Sequence, residues 1–237
     1  MNKINSLNLS MVLACAWISS SSLLADRQTK DEYKPADGSK GYKYLLYLPE
    51  TKSKGKKPLM VFLHGSGERG NDLSKVKKHG PPKIVENKNL PFIIASPQCP
   101  SGEYWNAKIL KGLVDDVTSK HPVDKNRIYL TGLSMGGYGT WATAAAYPKK
   151  FAAIAPICGG GDAKNAKNYG KLPIWNFHGD TDKAVPVRRS REMVSAVKQA
   201  GGNVKYTEYE GVGHDSWTRT YAGQKLYDWF LSHSRDN

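Results

Sequence analysis

Short unbroken apolar runs alternate along the chain with longer stretches whose apolar residues recur every three or four positions. Pro58–His64 (PLMVFLH), Phe92–Ala95, Ile128-Tyr129-Leu130, Phe151–Ile157 and Leu172–Phe177 are runs that predict strands buried on both faces. Between them, Tyr104–Lys120 sets Leu110, Leu113, Val114 and Val117 at helical spacing, and Met135–Tyr147 is alanine-rich. Val187–Ala200 carries Met193, Val194 and Val197 and ends at Gly201-Gly202, as a helix would. Gly41–Leu48 alternates in part and reads as an edge strand; Val204–Tyr209 alternates as a last strand. Arg219–Ser232 closes the chain as a helix with Leu226, Trp229, Phe230 and Leu231 toward the core. Asp26–Lys40 reads as an irregular lead-in, Thr51–Lys57 as a charged turn and Gly159–Lys171 as a loop, while the basic, proline-containing stretch Val76–Lys88 has no decisive period. Strands alternating with helices predict an α/β fold, a mostly parallel sheet with helices on both faces. At 237 residues and 39% hydrophobic content, the chain is long enough for one sizeable core, and residues 26–237 read as a single domain.

Arg127–Gly137 (RIYLTGLSMGG) is the stretch on which chemistry concentrates. A strand runs into Gly132-Leu133-Ser134-Met135-Gly136 and then into a helix, the context in which a G-x-S-x-G serine is exposed on a sharp turn. Small residues at 132 and 136 let strand and helix close around Ser134, and the amide of Met135 faces a developing oxyanion at a helix N-terminus. A serine hydroxyl needs a base that titrates near neutral pH. His64 and His178 end buried strands and run into glycine, His79 and His121 lie near prolines in polar segments, and His233 is close to the C-terminus. His214, in the Gly211-Val212-Gly213-His214-Asp215 loop between the last strand and the last helix, is best placed to reach the sheet's C-terminal edge. The orienting carboxylate is sought in HGDTDKAVP: Asp182 is preferred, while Asp180 is placed to cap the local turn, and Asp162 and Asp215 are weaker candidates. The second oxyanion donor is expected from the loop His64-Gly65-Ser66-Gly67, from the amide of Ser66 or alternatively of Gly67, with His64 holding the loop. Glu68 and Arg69 are expected to brace that loop as an ion pair. Trp105 and Trp217 are candidates for the substrate pocket, and Trp175 for the core.

The first 25 residues, with Lys3 and an apolar Met11–Ile18, resemble a signal peptide cleaved after Ala25, placing the protein outside the cell or in the periplasm. The competing reading, a lipobox ending at Cys15, is weakened by apolar sequence continuing past the cysteine; neither reading is a stable membrane span. Cys99 and Cys158 then remain. Their strands are not expected to be neighbours, which favours free thiols over a disulfide. The formal charge of +14 comes from lysines scattered over surface loops, with no basic helix or aromatic-basic repeat, so nucleic acid is not the expected partner. Solubility, or an attraction to acidic polysaccharide or an anionic envelope, accounts for it.

Together GLSMGG, HGSGERG after an early strand, HGDTDKAVP before a helix and GVGHDSW near the end resemble an α/β-hydrolase. With SPQCP (Ser96–Pro100) and Trp105 beyond it, the chain resembles the small secreted carboxylesterases grouped with dienelactone hydrolases, polyhydroxybutyrate depolymerases and feruloyl or acetylxylan esterases. The resemblance implies an ester hydrolase working through an acyl-enzyme, with no metal or cofactor. Such families often carry a lid or an additional binding domain; the short insertions of this sequence instead lead us to expect an open site without a large lid, suited to short acyl esters or to feruloyl and acetyl esters of polysaccharides. The nucleophile departs from dedicated dienelactone hydrolases, which use cysteine. Two other readings are a prolyl-oligopeptidase-type peptidase, which would lack its gating domain here, and a non-catalytic carbohydrate- or envelope-binding protein on the same scaffold.

Overall fold

A computed structural model describes residues 26–50 and 55–235. The expected leader 1–25, with Cys15, and the first residues of the 51–57 turn lie outside the described residues. Eight strands form one sheet: β1 (Gln28–Tyr33), β2 (Tyr42–Tyr47), β3 (Lys57–Leu63), β4 (Ile93–Pro97), β5 (Val123–Leu133), β6 (Ala153–Ile157), β7 (Ile174–Gly179) and β8 (Val204–Tyr209). They lie in the order β1-β2-β4-β3-β5-β6-β7-β8. β1 pairs antiparallel with β2, and β2 with β4; every later pairing is parallel.

The continuous apolar runs are strands whose two faces feed two cores. In β3, Leu59, Val61 and Leu63 face one cluster and Met60 and Phe62 the other, the period of two that a pleated strand imposes. The first cluster is closed by α2 (Ala107–Lys120), α3 (Met135–Ala146) and α4 (Arg188–Gln199), through Leu110, Leu113, Val114, Val117, Trp141, Met193 and Val197. On the other face lie the short α1 (Gly80–Ile84), α5 (Ser216–Ala222) and α6 (Gln224–Leu231), with Tyr221, Leu226, Tyr227 and Phe230 buried against the sheet. Burying side chains of this size contributes roughly 1.5–3 kcal/mol each before the cost of ordering the chain.

Several elements differ from the sequence expectation. Part of the Asp26–Lys40 lead-in is the edge strand β1, so Gly41–Leu48 provides an interior strand instead of an edge. β1 escapes hydropathy because its side chains are mostly solvated and it is held by backbone pairing, by Tyr44 Oη donating to Asp31 at 2.7 Å and by the buried Gln28, whose Nε2 donates to the Pro82 carbonyl at 2.9 Å. The 76–88 stretch supplies half of a 3-10 turn at Leu73–Lys78 and then α1, opened by Pro81 and Pro82 where missing amide hydrogens cost nothing. The 159–171 loop contains a 3-10 turn, Ala163–Tyr169, capped by Asp162. The closing helix starts earlier and is broken: Asp215 caps α5 through Thr218 N–H, and extended backbone at Gly223 (ψ 137°) separates it from α6.

Candidate active site

Ser134 sits between β5 and α3 with φ 53° and ψ −116°, a left-handed strain that the neighbours hold in place. Its amide donates to the Ile157 carbonyl of β6 at 2.9 Å. A Cβ at Gly136 would lie 1.9 Å from the Leu63 carbonyl oxygen, and one at Gly132 would lie 2.5 Å from the Gly136 carbonyl oxygen. The glycines therefore allow α3 to press its first turn onto β3 and β5. Thr140, one turn further, returns its hydroxyl to the Gly136 carbonyl at 2.8 Å.

The loops after β7 and β8 bring the other two groups to the serine. His214 Nε2 is 2.9 Å from Ser134 Oγ, and His214 Nδ1 is 2.7 Å from Asp182 Oδ2. With a carboxylate facing Nδ1, that nitrogen carries the proton and Nε2 is free to accept one from the serine. The two loops are tied together by Asp180 N–H donating to the Tyr209 carbonyl and Thr181 N–H to the Val212 carbonyl, both at 3.1 Å. They approach closely at Gly179, where a Cβ would lie 2.1 Å from the Val212 oxygen.

Asp182 has a fully buried side chain, whereas that of His214 is 27% exposed. Burial alone would raise the Asp182 carboxyl; hydrogen bonds from His214 and from the Val185 and Ala184 amides outweigh it and hold the group below the usual carboxylate range. Oδ1 accepts both amides at 2.9 Å, so it is Asp182 that caps the turn. Asp180 does not take the capping role expected of it: its Oδ1 is buried with no hydrogen-bond partner. Asp215 and Asp162 are helix caps.

The His64–Gly67 loop passes beside the serine: a Cβ on Gly65 would lie 3.7 Å from Ser134 Cβ. Met135 opens α3, and Ser66 and Gly67 open a 3-10 turn (Ser66–Glu68). The first amides of a helix lack intrahelical acceptors, which leaves these three N–H groups available to an anion. His64 Nε2 accepts the Cys99 amide at 3.0 Å while Nδ1–H donates to the Gly65 carbonyl. Burial pushes this imidazole down to about 4, so it stays neutral and structural. Glu68 does not pair with Arg69. It faces His79 at 3.8 Å, while Arg69 donates to the Ser66 and Glu103 carbonyls and lies over the Tyr104 ring.

Trp105 lies beneath the loop, edge-on to Tyr42 and His64, with Nε1 donating to the His64 carbonyl at 3.2 Å. Its place is that of a buttress more than of a pocket wall. Trp217 meets His214 edge to face at 5.1 Å and His79 at 5.4 Å, and its buried Nε1 has no partner. Trp175 packs in the core, where Nε1 donates to Thr207.

Two residues escaped sequence reasoning. His178 contacts Asp182 from behind, and His79 joins Trp217; the available signal for the first was its spacing of four residues from Asp182 in H-G-x-x-D. Cys99 and Cys158 are free buried thiols. Cys158, Asp182 and His214 bring ligand-type atoms within 4.8 Å of one another. Two of those atoms are engaged in the Nδ1–Oδ2 hydrogen bond, and burial pushes the Cys158 thiol up to about 12, so the sulfur holds its proton. A cavity of about 790 Å³ lined by Asn126, Lys149, Asn168, Lys171 and Asn203 opens at the N-terminal edge of the parallel strands, the end opposite the serine.

Sheet order, helix placement and the strained serine turn are those of an α/β-hydrolase. Residues 96–225 match the phospholipase/carboxylesterase family, and the chain belongs to that family. A solved thermostable esterase is 35% identical and superposes with a TM-score of 0.76, covering 88% of this chain and 64% of that one. Poly(3-hydroxyoctanoate) depolymerase of Pseudomonas fluorescens is 27% identical over 64% of this chain and 63% of its own length. Feruloyl esterase B of Piromyces equi is 34% identical over 37% of this chain and 19% of its own length. The chain thus spans less than two thirds of each of these relatives.

Proposed function

We propose that the protein hydrolyses carboxylic esters through an acyl-enzyme formed on Ser134. His214 Nε2 takes the Ser134 proton as Oγ attacks the ester carbonyl and returns it to the departing alcohol; water then enters by the same route and releases the acid. Asp182 keeps the proton on Nδ1 and stabilises the imidazolium. The developing oxyanion is met by the amide of Met135 together with that of Ser66 or Gly67. The observation that carries this reading is the chain of two hydrogen bonds, Ser134 Oγ to His214 Nε2 at 2.9 Å and His214 Nδ1 to Asp182 Oδ2 at 2.7 Å.

The substrates proposed are short acyl esters and feruloyl or acetyl esters, including those attached to polysaccharides. The names of the relatives support an ester of this kind, and a partly exposed Ser134–His214 pair suits a bulky alcohol portion. We further propose that residues 1–25 are a signal peptide removed on export and that residues 26–237 form one catalytic domain. Hydrolysis of methyl ferulate, acetylated xylan, p-nitrophenyl acetate and a peptide anilide tests the reading. Turnover of the esters that vanishes in Ser134→Ala supports it; cleavage of the anilide alone overturns it in favour of a peptidase.

A further inference from the structure

His178 ends β7 with a fully buried side chain. Its Nε2 lies 3.0 Å from Asp182 Oδ2 and 2.9 Å from the Val185 carbonyl, and its Nδ1 lies 2.7 Å from Ser190 Oγ. Both atoms facing Nε2 are acceptors only, so Nε2 carries the proton and donates. Nδ1 is then the acceptor side of the ring; it lies beside the Ser190 hydroxyl of α4, whose single proton also faces the Gly159 carbonyl, to which Oγ donates at 3.0 Å. Burial is the largest influence on this ring and lowers its pKa against the opposing pull of the Val185 carbonyl and Asp182, so it is neutral when the enzyme works.

Asp182 consequently receives four donors: the Ala184 and Val185 amides on Oδ1, and two imidazole N–H groups, those of His214 and His178, on Oδ2. A carboxylate held by one imidazole alone can turn and exchange its oxygens. Here Oδ1 is pinned by the backbone, and of the two directions in which Oδ2 accepts, His178 occupies one and leaves the other for His214.

We infer that His178 is a positioning residue for the reaction assigned to Ser134, His214 and Asp182, acting through Asp182, with Asp182 Oδ2 and the Val185 carbonyl fixing its proton on Nε2 and Ser190 holding the ring at Nδ1. The inference rests on that assignment. Donation from His178 withdraws charge from Oδ2, so the carboxylate leaves the shared proton on His214 Nδ1 when the imidazolium forms. It also fixes the aim of Oδ2, on which the direction of His214 Nε2 toward Ser134 depends. Outer hydrogen bonds to metal-ligating residues are worth roughly 10–100-fold, and a loss of the same order is expected for this outer bond to Asp182.

The test is p-nitrophenyl acetate hydrolysis for wild type, His178→Asn, His178→Gln and Ser190→Ala per active site, the sites counted with an organophosphonate, and for Ser134→Ala, which lacks the titrated hydroxyl, per mole of folded protein. His178→Asn, whose amide stops short of the Nε2 position, is expected to lower kcat roughly 10–100-fold with KM within about threefold. The acid limb of its kcat/KM profile moves to higher pH, because the less-shielded carboxylate holds the His214 proton more strongly. His178→Gln, whose amide reaches the Nε2 position, recovers about tenfold of that loss, and Ser190→Ala loses about threefold. Wild-type kcat and an unmoved acid limb in His178→Asn, or a loss seen only as fewer titratable sites, overturn the inference. If Ser134→Ala keeps its activity, the underlying assignment fails first; if Ser134→Ala is inactive and His178→Asn behaves as wild type, this inference alone fails.

Discussion

His64 Nε2 accepts the main-chain amide of Cys99 at 3.0 Å, joining the end of β3 to the loop after β4 beneath the serine. That bond exists only while the imidazole is neutral. The folded protein holds the group down to about 4, whereas an unfolded chain binds the proton near the ordinary histidine value of about 6.5. Between those values the unfolded state carries more protons, so stability is full above pH 6.5 and is lost as pH falls to 4, amounting to about 3 kcal/mol. Urea unfolding measured from pH 7.5 to 4 is expected to show this decline, and His64→Gln, which keeps a donor and an acceptor without titrating, is expected to flatten it by about that amount. An equal slope in both proteins contradicts the assignment.

Ser134→Ala is expected to lower ester turnover by roughly 10⁴-fold or more while the fold persists, since the hydroxyl carries the covalent step. Asp182→Asn is expected to lose about 10⁴-fold as well, because an amide at Oδ2 allows the wrong tautomer of His214. Circular dichroism and thermal unfolding of both variants separate these effects from misfolding.

Gly136→Ala places a methyl group 1.9 Å from the Leu63 carbonyl oxygen, a backbone atom that cannot swing aside. The expected cost is more than about 3 kcal/mol, which in a chain of this size lowers Tm by roughly 6–12 °C. Differential scanning calorimetry reads this directly, and a change in Tm under about 2 °C would mean that α3 moves freely on the sheet.

Trp217→Ala removes the ring that stands between His214 and His79. For an aromatic acyl group such as ferulate, KM is expected to rise roughly tenfold, the value of one aromatic contact, with the acetyl ester changed by less than about threefold. Equal effects on both esters would place Trp217 in support of His214 alone.

Much of this arrangement was legible in the residues. The parallel strands announce themselves as unbroken apolar runs because both their faces are buried, and Ser134 is marked by the glycines that its turn requires. Asp182 and His214, expected from their place after successive strands, lie within hydrogen-bond distance of each other. β1 was missed because an edge strand is held by its ladder more than by side-chain burial. The roles of His178, His79 and Glu68 depend on which loops come together, and no local pattern records that. Trp105 sits at a strand's outlet in sequence, yet the loop folds over it, so its indole braces His64.

The sheet is left unpaired at both rims. Along β1 the rim carries Lys30, Asp31 and Glu32; along β8 it carries Lys205, whose Nζ sits 3.7 Å above the Trp175 ring, and Glu208, gripped by Arg191 from α4 at 2.9 Å. A foreign strand arriving at either rim would have to strip water from these charges before its first backbone bond formed. The interior runs, rich in isoleucine, leucine and phenylalanine, are the segments most able to stack into fibrils, and they lie behind these charged margins. These margins make the addition of a strand at either rim costly.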